Sequence, residues 1–174
     1  MTRSIFLIGF MGSGKSYWGQ RLAEVLHVPF VDLDADIVAS TGKSIAEIFA
    51  EQGESGFRAL ERQHLQVLIS ASPTVVATGG GTPCFFDNMD QMNAHACTIF
   101  LDVPVEVLAK RLSSEMQKRP MLAGLEPEQL PEFIEQMLEK RLPYYKLAQH
   151  KPAWSGVEAE YLSRLLLAAN GKNS

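Results

Sequence analysis

Short apolar runs alternate with helical patterns along this 174-residue chain. Four of the runs have the length of buried strands, at residues 4–10, 29–34, 75–78 and 98–102. Elsewhere apolar residues recur at helical spacing, which predicts a helix beginning near Pro104 and others over 14–26, 44–53, 54–71, 87–93, 130–142 and 156–169. Strands that alternate with helices predict a parallel sheet covered on both faces, which is a three-layer α/β/α fold.

One polar stretch and one single proline interrupt this pattern. Residues 113–128 are polar and contain Pro120, Gly124 and Pro127, which predicts a long mobile loop. Pro143 follows the helical pattern of residues 130–142 and is expected to interrupt that helix. The chain shows no linker, internal repeat or low-complexity tract, so we expect residues 1–174 to form one domain.

Composition narrows the class of protein further. Hydrophobic residues make up 46% of the chain and charged residues 21%, as is ordinary for a globular domain. The formal net charge is −4 and no dense cluster of Lys and Arg occurs, which argues against nucleic-acid or membrane-surface binding. No apolar run approaches the ~20 residues of a membrane-spanning helix. The absence of coiled-coil heptads in the sequence predicts a monomer.

The cysteines and the N-terminus bear on the cellular compartment. Cys84 and Cys97 lack the spacing of a zinc site, and we expect both to be reduced thiols in the core. The first strand begins a few residues after Met1, which leaves no room for a secretory signal. These features predict a cytoplasmic location.

A glycine-rich segment joins the first predicted strand to the first helix, Gly9-Phe10-Met11-Gly12-Ser13-Gly14-Lys15-Ser16. It fits the pattern G-x-x-x-x-G-K-[ST], in which backbone N–H groups at a helix N-terminus surround polyphosphate oxygens. In that pattern Lys15 reaches the outer phosphates and Ser16 ligates Mg²⁺. A glycine-rich turn that binds nothing is the alternative, but the strand before it and the helix after it favour phosphate binding. We therefore expect nucleotide contacts from Gly12, Ser13, Gly14, Lys15, Ser16 and Tyr17.

Acidic residues end the second predicted strand, at the sheet edge where such folds bind ligands. Asp32 and Asp34 are two positions apart on a segment expected to be extended, so their side chains would point the same way. The alternative is that they only cap the next helix. Phosphoryl transfer to an alcohol needs a carboxylate near the hydroxyl and a cation on the phosphates, and two acids could divide those tasks.

Glycines and arginines are further candidates for the site. Gly79, Gly80 and Gly81 follow the third strand and suggest a close approach to the backbone, although a tight turn would also use them. Arg58 has Glu61 one helical turn later, which is also typical of a solvent-exposed ion pair. Two other arginines are ambiguous. Arg119, in the mobile loop, could reach a transferring phosphoryl group. Arg141 could bind a carboxylate through two hydrogen bonds.

Together these residues resemble the shikimate kinase family of P-loop proteins, in the group of the nucleoside monophosphate kinases. The resemblance covers residues 4 to about 146 and is carried by the phosphate loop, Asp32-Leu33-Asp34, Gly56-Phe57-Arg58 with Glu61, Thr78-Gly79-Gly80-Gly81, Lys118-Arg119-Pro120 and Arg141-Leu142-Pro143-Tyr144. It implies phosphorylation of the 3-hydroxyl of shikimate by ATP, in aromatic amino-acid biosynthesis. It also implies a P-loop kinase fold with about five strands and a mobile lid at about 113–128.

The resemblance assigns a role to each candidate residue. Asp34 would hold the acceptor hydroxyl and take its proton, and the acid would be held by Arg58, Gly79, Gly80, Gly81 and Arg141. Lys15 and Arg119 would also act in catalysis, Arg119 from the lid, and Arg111 would stack on adenine. Mg²⁺ would be bound by Ser16 and Asp32. Glu61 would orient Arg58, and the apolar wall would consist of Ile45, Phe49 and Phe57.

The chain departs from the family near its end. Members of the family usually have a fifth strand after the Arg-x-Pro-x-Tyr segment, which is residues 141–145 here. Residues 148–154 are polar and poor in Val and Ile, so this strand would be brief or displaced. The adenine partner opposite Arg111 is therefore left unassigned. Three alternative functions stay open: a related kinase such as a gluconate kinase, a nucleoside monophosphate kinase, and a nucleotide-binding regulatory module without an acceptor.

Overall fold

A four-stranded parallel sheet lies at the centre of the structure, a computed structural model that describes residues 3–116, 120–122 and 124–171. Its strands are β1 (Ile5–Ile8), β2 (Phe30–Asp32), β3 (Val75–Ala77) and β4 (Cys97–Phe100), in the order β2-β3-β1-β4. The helices are α1 (Lys15–Leu26), α2 (Leu33–Thr41), α3 (Ile45–Ser70), α4 (Asn88–His95), α5 (Val105–Ser113), α6 (Leu130–Tyr145) and α7 (Glu158–Ala169). The predicted α/β class is confirmed.

The central strand β1 is buried on both faces. Ile5 and Leu7 pack into one cluster with α1 and α7, which we call the α1–α7 cluster. Phe6 and Ile8 pack into another with α2, α3, α4 and the end of α6, which we call the α2–α3 cluster. Because successive side chains of a strand point to opposite faces, this double burial explains why the sequence of β1 is continuously apolar.

Helix α3 joins the two helices that the sequence predicts over 44–53 and 54–71. Gly53, at the predicted boundary, is non-helical with φ 68° and ψ −175°, so the helix is kinked there. The predicted N-cap is present: Ser44 Oγ accepts from Glu47 N at 3.3 Å, and the Glu47 carboxylate accepts from Ser44 N at 2.8 Å.

Helix α2 is absent from the prediction and changes the setting of two acidic residues. The sequence predicts an extended segment through Asp34, but the strand ends at Asp32. Asp32 Oδ1 accepts from Ala35 N at 3.3 Å and caps α2, whose first turn contains Asp34. The expectation that both side chains project from one strand is therefore wrong, and the capping interpretation is correct for Asp32.

Two expectations for the C-terminal third are also corrected. Pro143 does not interrupt α6, which continues to Tyr145; so close to the end of a helix, the N–H that proline lacks removes only one late bond. The fifth strand is reduced to one parallel bridge between Ile99 and His150, so the described chain has four strands rather than about five. In the predicted lid, Leu122 is buried against α5 and α6. Movement of the lid stays a prediction.

Both cysteines are free, as expected, but half-buried. Burial raises the pKa of the Cys84 thiol and raises that of Cys97 to about 11, so both thiols are protonated at neutral pH. Across the described ranges, no helix has the length and apolar character needed to cross a bilayer.

Candidate active site

A cleft of about 930 Å³ follows the carboxyl ends of the strands. The order of the strands in the sheet determines the order of the lining residues along the cleft. Asp34 follows β2, Gly79 and Gly80 follow β3, and the phosphate loop follows β1. Beyond the phosphate loop the lining includes Arg111, Trp154 and Glu158. One end of the cleft lies at β2 and β3, where the sequence predicts acceptor binding, and we call it the acceptor end. The other lies beside α5 and α7, where Arg111 is predicted to stack on adenine, and we call it the nucleoside end.

The phosphate loop is held in shape by its own groups. Gly14 caps α1 with φ 91°, a conformation that favours glycine. Lys15 Nζ donates to the carbonyl oxygens of Gly9 and Phe10, each at 2.9 Å. Arg111 Nη1 donates to Gly12 O at 2.9 Å, which ties α5 to the loop. Ser13 is fully buried, and its Oγ has no hydrogen-bond partner within the described chain.

The oxygen atoms of Ser16 and Asp32 lie side by side in the cleft. Ser16 Oγ donates to Asp32 Oδ2 over 2.5 Å. These hard oxygen ligands fit Mg²⁺, which commonly binds proteins through one or two side chains while phosphates and water complete its coordination. No group of three or more His, Cys, Asp or Glu residues suited to a metal occurs among the described residues. A cation here would therefore need phosphate oxygens or water as further ligands.

Each glycine of the segment 79–81, the glycine loop, lies against a charged side chain. A Cβ on Gly79 would lie 2.8 Å from Glu61 Oε1, and one on Gly81 would lie 2.6 Å from Arg58 Nη2. A Cβ on Gly80 would lie 3.1 Å from Arg141 Nη1. None of these three glycines has a positive φ, so space rather than backbone conformation requires them. The close approach to the backbone predicted from the sequence is confirmed.

Arg58 and Glu61 form a buried ion pair. Arg58 Nη1 donates to Glu61 Oε2 at 2.9 Å, and Glu61 is 0% exposed, so the interpretation as a solvent-exposed pair is wrong. The Arg58 guanidinium lies 4.1 Å from the ring centroid of Phe85 and 5.1 Å from that of Phe57. Arg58 Nε is buried without a hydrogen-bond partner among the residues described. It is therefore available as a donor to a ligand.

Asp34 has a buried carboxyl group with a raised pKa. Burial raises its pKa from 3.8 to about 6, with smaller contributions from the negative charges of Glu61 and Asp32. Its Oδ1 atom is buried and lacks a hydrogen-bond partner within the described ranges. This oxygen is thus placed to accept a hydrogen bond from a ligand hydroxyl.

Trp154 lies at the opposite end of the cleft and was not identified from the sequence. Arg111 Cζ lies 5.0 Å from its ring centroid, and the ring also packs against Tyr161 at 4.8 Å. The available signal was an aromatic residue at the end of the polar segment 148–154. Tyr17, predicted to bind nucleotide, lines the same end and donates through its hydroxyl to Glu158 at 2.8 Å.

The other predicted site residues are only partly brought together. Arg141 and Arg58 lie beside the glycine loop, just outside the cleft lining. Phe49 and Phe57 of the predicted apolar wall contact one another at 4.7 Å between ring centroids, and Ile45 packs beside the α2–α3 cluster. Arg119 lies outside the described residues.

A family model for shikimate kinase matches residues 11–165. The chain belongs to the shikimate kinase family. Shikimate kinase from Bacteroides fragilis is 47% identical over 146 residues, which cover 84% of this chain and 82% of that protein. The crystal structure of shikimate kinase from Bacteroides thetaiotaomicron superposes with a TM-score of 0.89 at 43% identity, covering 95% of this chain and 97% of the other.

A second solved shikimate kinase, from Acinetobacter baumannii in complex with shikimate, has a TM-score of 0.87 at 32% identity and covers 98% of this chain and 94% of its own. These relationships confirm the resemblance, the P-loop kinase fold and the enzyme class predicted from the sequence. They also confirm the predicted reaction, ATP-dependent phosphorylation of shikimate.

Proposed function

We propose that this shikimate kinase family member binds ATP on the phosphate loop and holds shikimate between Asp34 and the arginines of the glycine loop. The observation that supports this arrangement best is Asp34 Oδ1, a buried oxygen with no hydrogen-bond partner among the described residues. A buried acceptor left unpaired is costly, and a hydroxyl group of the substrate would satisfy it.

The acceptor end suits a small acid that carries several hydroxyl groups. Arg58 and Arg141 lie beside Gly81 and Gly80, and guanidinium groups pair with carboxylates through two parallel hydrogen bonds. Arg58 Nη1 donates to Glu61 and Nη2 to Glu54, and Phe85 packs on the guanidinium, which leaves Nε for the ligand. The two arginines would thus bind the carboxylate while Asp34 binds a hydroxyl.

The nucleotide would occupy the rest of the cleft. Phosphates would lie on the backbone of Gly12–Ser16 and near Lys15. The base would lie beside Arg111 and Trp154, which contact one another and whose flat faces suit stacking. Ser16 and Asp32 would bind Mg²⁺. When bound there, Mg²⁺ would offset negative charge on the β- and γ-phosphates.

In this proposal Asp34 is the proton acceptor. As the 3-hydroxyl oxygen of shikimate bonds to the γ-phosphorus, its proton passes to Asp34, and the bond from that phosphorus to the bridging oxygen breaks to release ADP. A pKa of about 6 keeps Asp34 mostly ionised at neutral pH, yet basic enough to accept a proton. Lys15 would stabilise the phosphates from the loop.

Release of ADP in the presence of ATP and Mg²⁺ tests the proposal, with shikimate, gluconate or no acceptor. We expect rapid release with shikimate and only slow release without it, and phosphorus NMR should identify shikimate 3-phosphate. Release with gluconate but not shikimate would contradict the proposal, as would release that needs no acceptor. The role of Arg119, a cytoplasmic location and a monomeric state stay predictions from the sequence.

A further inference from the structure

The phenol of Tyr145 contacts the glycine loop without lining the cleft. Tyr145 is the last residue of α6, is 0% exposed, and donates its hydroxyl to the Gly80 carbonyl over 2.5 Å. We propose that Tyr145 is a positioning residue for the acceptor, because its hydroxyl fixes the glycine loop and Arg141 relative to each other. The inference rests on the proposed function, in which these groups bind shikimate.

The side chains of Tyr145 and Arg141, both from α6, contact the glycine loop at Gly80. Tyr145 and Arg141 are four residues apart, so they lie on one face of the helix. Arg141 Nη1 would lie 3.1 Å from a Cβ on Gly80, and the Tyr145 hydroxyl binds the carbonyl of the same residue. A shift of this carbonyl would therefore change the distance between the loop and the arginine.

The same hydrogen bond also orients the next amide. The peptide between Gly80 and Gly81 is planar and trans, so fixing its carbonyl fixes the direction of the Gly81 N–H. Gly81 lies against Arg58, whose Nη2 would be 2.6 Å from a Cβ there. The Tyr145 hydroxyl thus fixes the orientation of the glycine loop relative to Arg58 and Arg141.

The environment of Tyr145 keeps it a donor. Its ring packs on Phe100 with 5.1 Å between centroids. Burial raises the pKa of the phenol, and the nearby Arg141 charge offsets this only in part, so the hydroxyl stays protonated at neutral pH.

The substitution Tyr145→Phe removes only the hydroxyl. We expect the KM for shikimate to rise about tenfold, as when a binding group is displaced by a fraction of an ångström, while the KM for ATP stays unchanged. The matched control is Tyr144→Phe, one residue earlier and 40% exposed, for which both KM values should equal those of the wild type.

A second variant separates the hydroxyl from packing. Phe100→Leu loses the ring contact but keeps the hydroxyl, so we expect a lower melting temperature with an unchanged KM for shikimate. An unchanged KM in Tyr145→Phe, or an equal rise in KM in Phe100→Leu, would overturn the inference. The proposed function would fail separately, by a wild-type protein that releases no ADP in response to shikimate.

Discussion

Arg58 is held by Glu61, a carboxylate with no exposed surface, through a 2.9 Å hydrogen bond. Glu61 in turn accepts a hydrogen bond from Thr82, just after the glycine loop. A buried carboxylate therefore holds the arginine of the acceptor end, and Thr82, next to the glycine loop, holds that carboxylate. A substitution of Arg58 or Glu61 should therefore weaken shikimate binding rather than nucleotide binding.

Replacing Arg58 with Lys should mainly weaken shikimate binding. An ammonium group cannot form the planar fork, so we expect the KM for shikimate to rise roughly 10- to 100-fold, the loss typical of a broken charged hydrogen bond. The KM for ATP should stay near that of the wild type in the same assay. Arg62→Lys is the matched control, since Arg62 lies one turn later and contacts Asp87 instead. Equal kinetics for both variants would argue that Arg58 does not bind the acid.

The pH dependence of the reaction should report Asp34. Its pKa is raised to about 6, and only the ionised form can accept the hydroxyl proton. At saturating ATP, kcat/KM for shikimate should therefore fall about tenfold per pH unit below about pH 6. Steady-state rates between pH 5 and 8 would show this limb. A profile that stays flat down to pH 5 would contradict the assignment.

Asp34→Asn should separate activity from stability. The unfolded chain loses the Asp34 proton near pH 3.8 and the folded chain near pH 6, so ionisation of this group lowers the free energy of unfolding as the pH rises through this range. The shift corresponds to about 3 kcal/mol. At pH 8 the neutral variant should be more stable than the wild type by at most about that amount. At pH 5 it should still be more stable, but by a smaller free energy.

Urea denaturation at the two pH values measures this difference. Turnover of Asp34→Asn should fall by orders of magnitude while ATP affinity stays near normal, because only the acceptor loses its partner. A variant that is less stable at pH 8 than the wild type, or one that fails to bind ATP, would show that Asp34 has a different role.

Nucleotide binding should change the fluorescence of Trp154. The chain has two tryptophans, and both line the cleft. Trp18 is only 4% exposed, whereas Trp154 lies beside Arg111. Titration with ADP should alter the emission of the wild type, and the change should be much smaller in Trp154→Phe, which retains only Trp18. Trp154→Ala should raise the KM for ATP about 3- to 30-fold, as expected for loss of a stacking or cation–π contact. A full ADP response in Trp154→Phe would place the base elsewhere.

Features set by local sequence were predicted well. The phosphate loop, the cap at Ser44 and the break at Gly53 each depend on residues close together in the chain. The three glycines correctly indicated a close approach, but the sequence alone could not pair each glycine with its charged neighbour. Those pairings depend on how α3 and α6 pack on the sheet.

Features set by tertiary packing were missed or misread. Asp34 was placed on a strand because strand and helix meet there without a turn signal. Burial of Glu61 was invisible in a pattern that also fits a surface ion pair. Trp154 lies in a segment without periodicity, and only its contact with Arg111 reveals its position.

The alternating side chains of β1 pack into two different clusters, one near each end of the cleft. Phe6 and Ile8 anchor the α2–α3 cluster beneath the acceptor end, whereas Ile5 and Leu7 anchor the α1–α7 cluster beside the nucleoside end. A substitution on one face of this strand should therefore alter the packing near one end of the cleft and leave the packing near the other end unchanged.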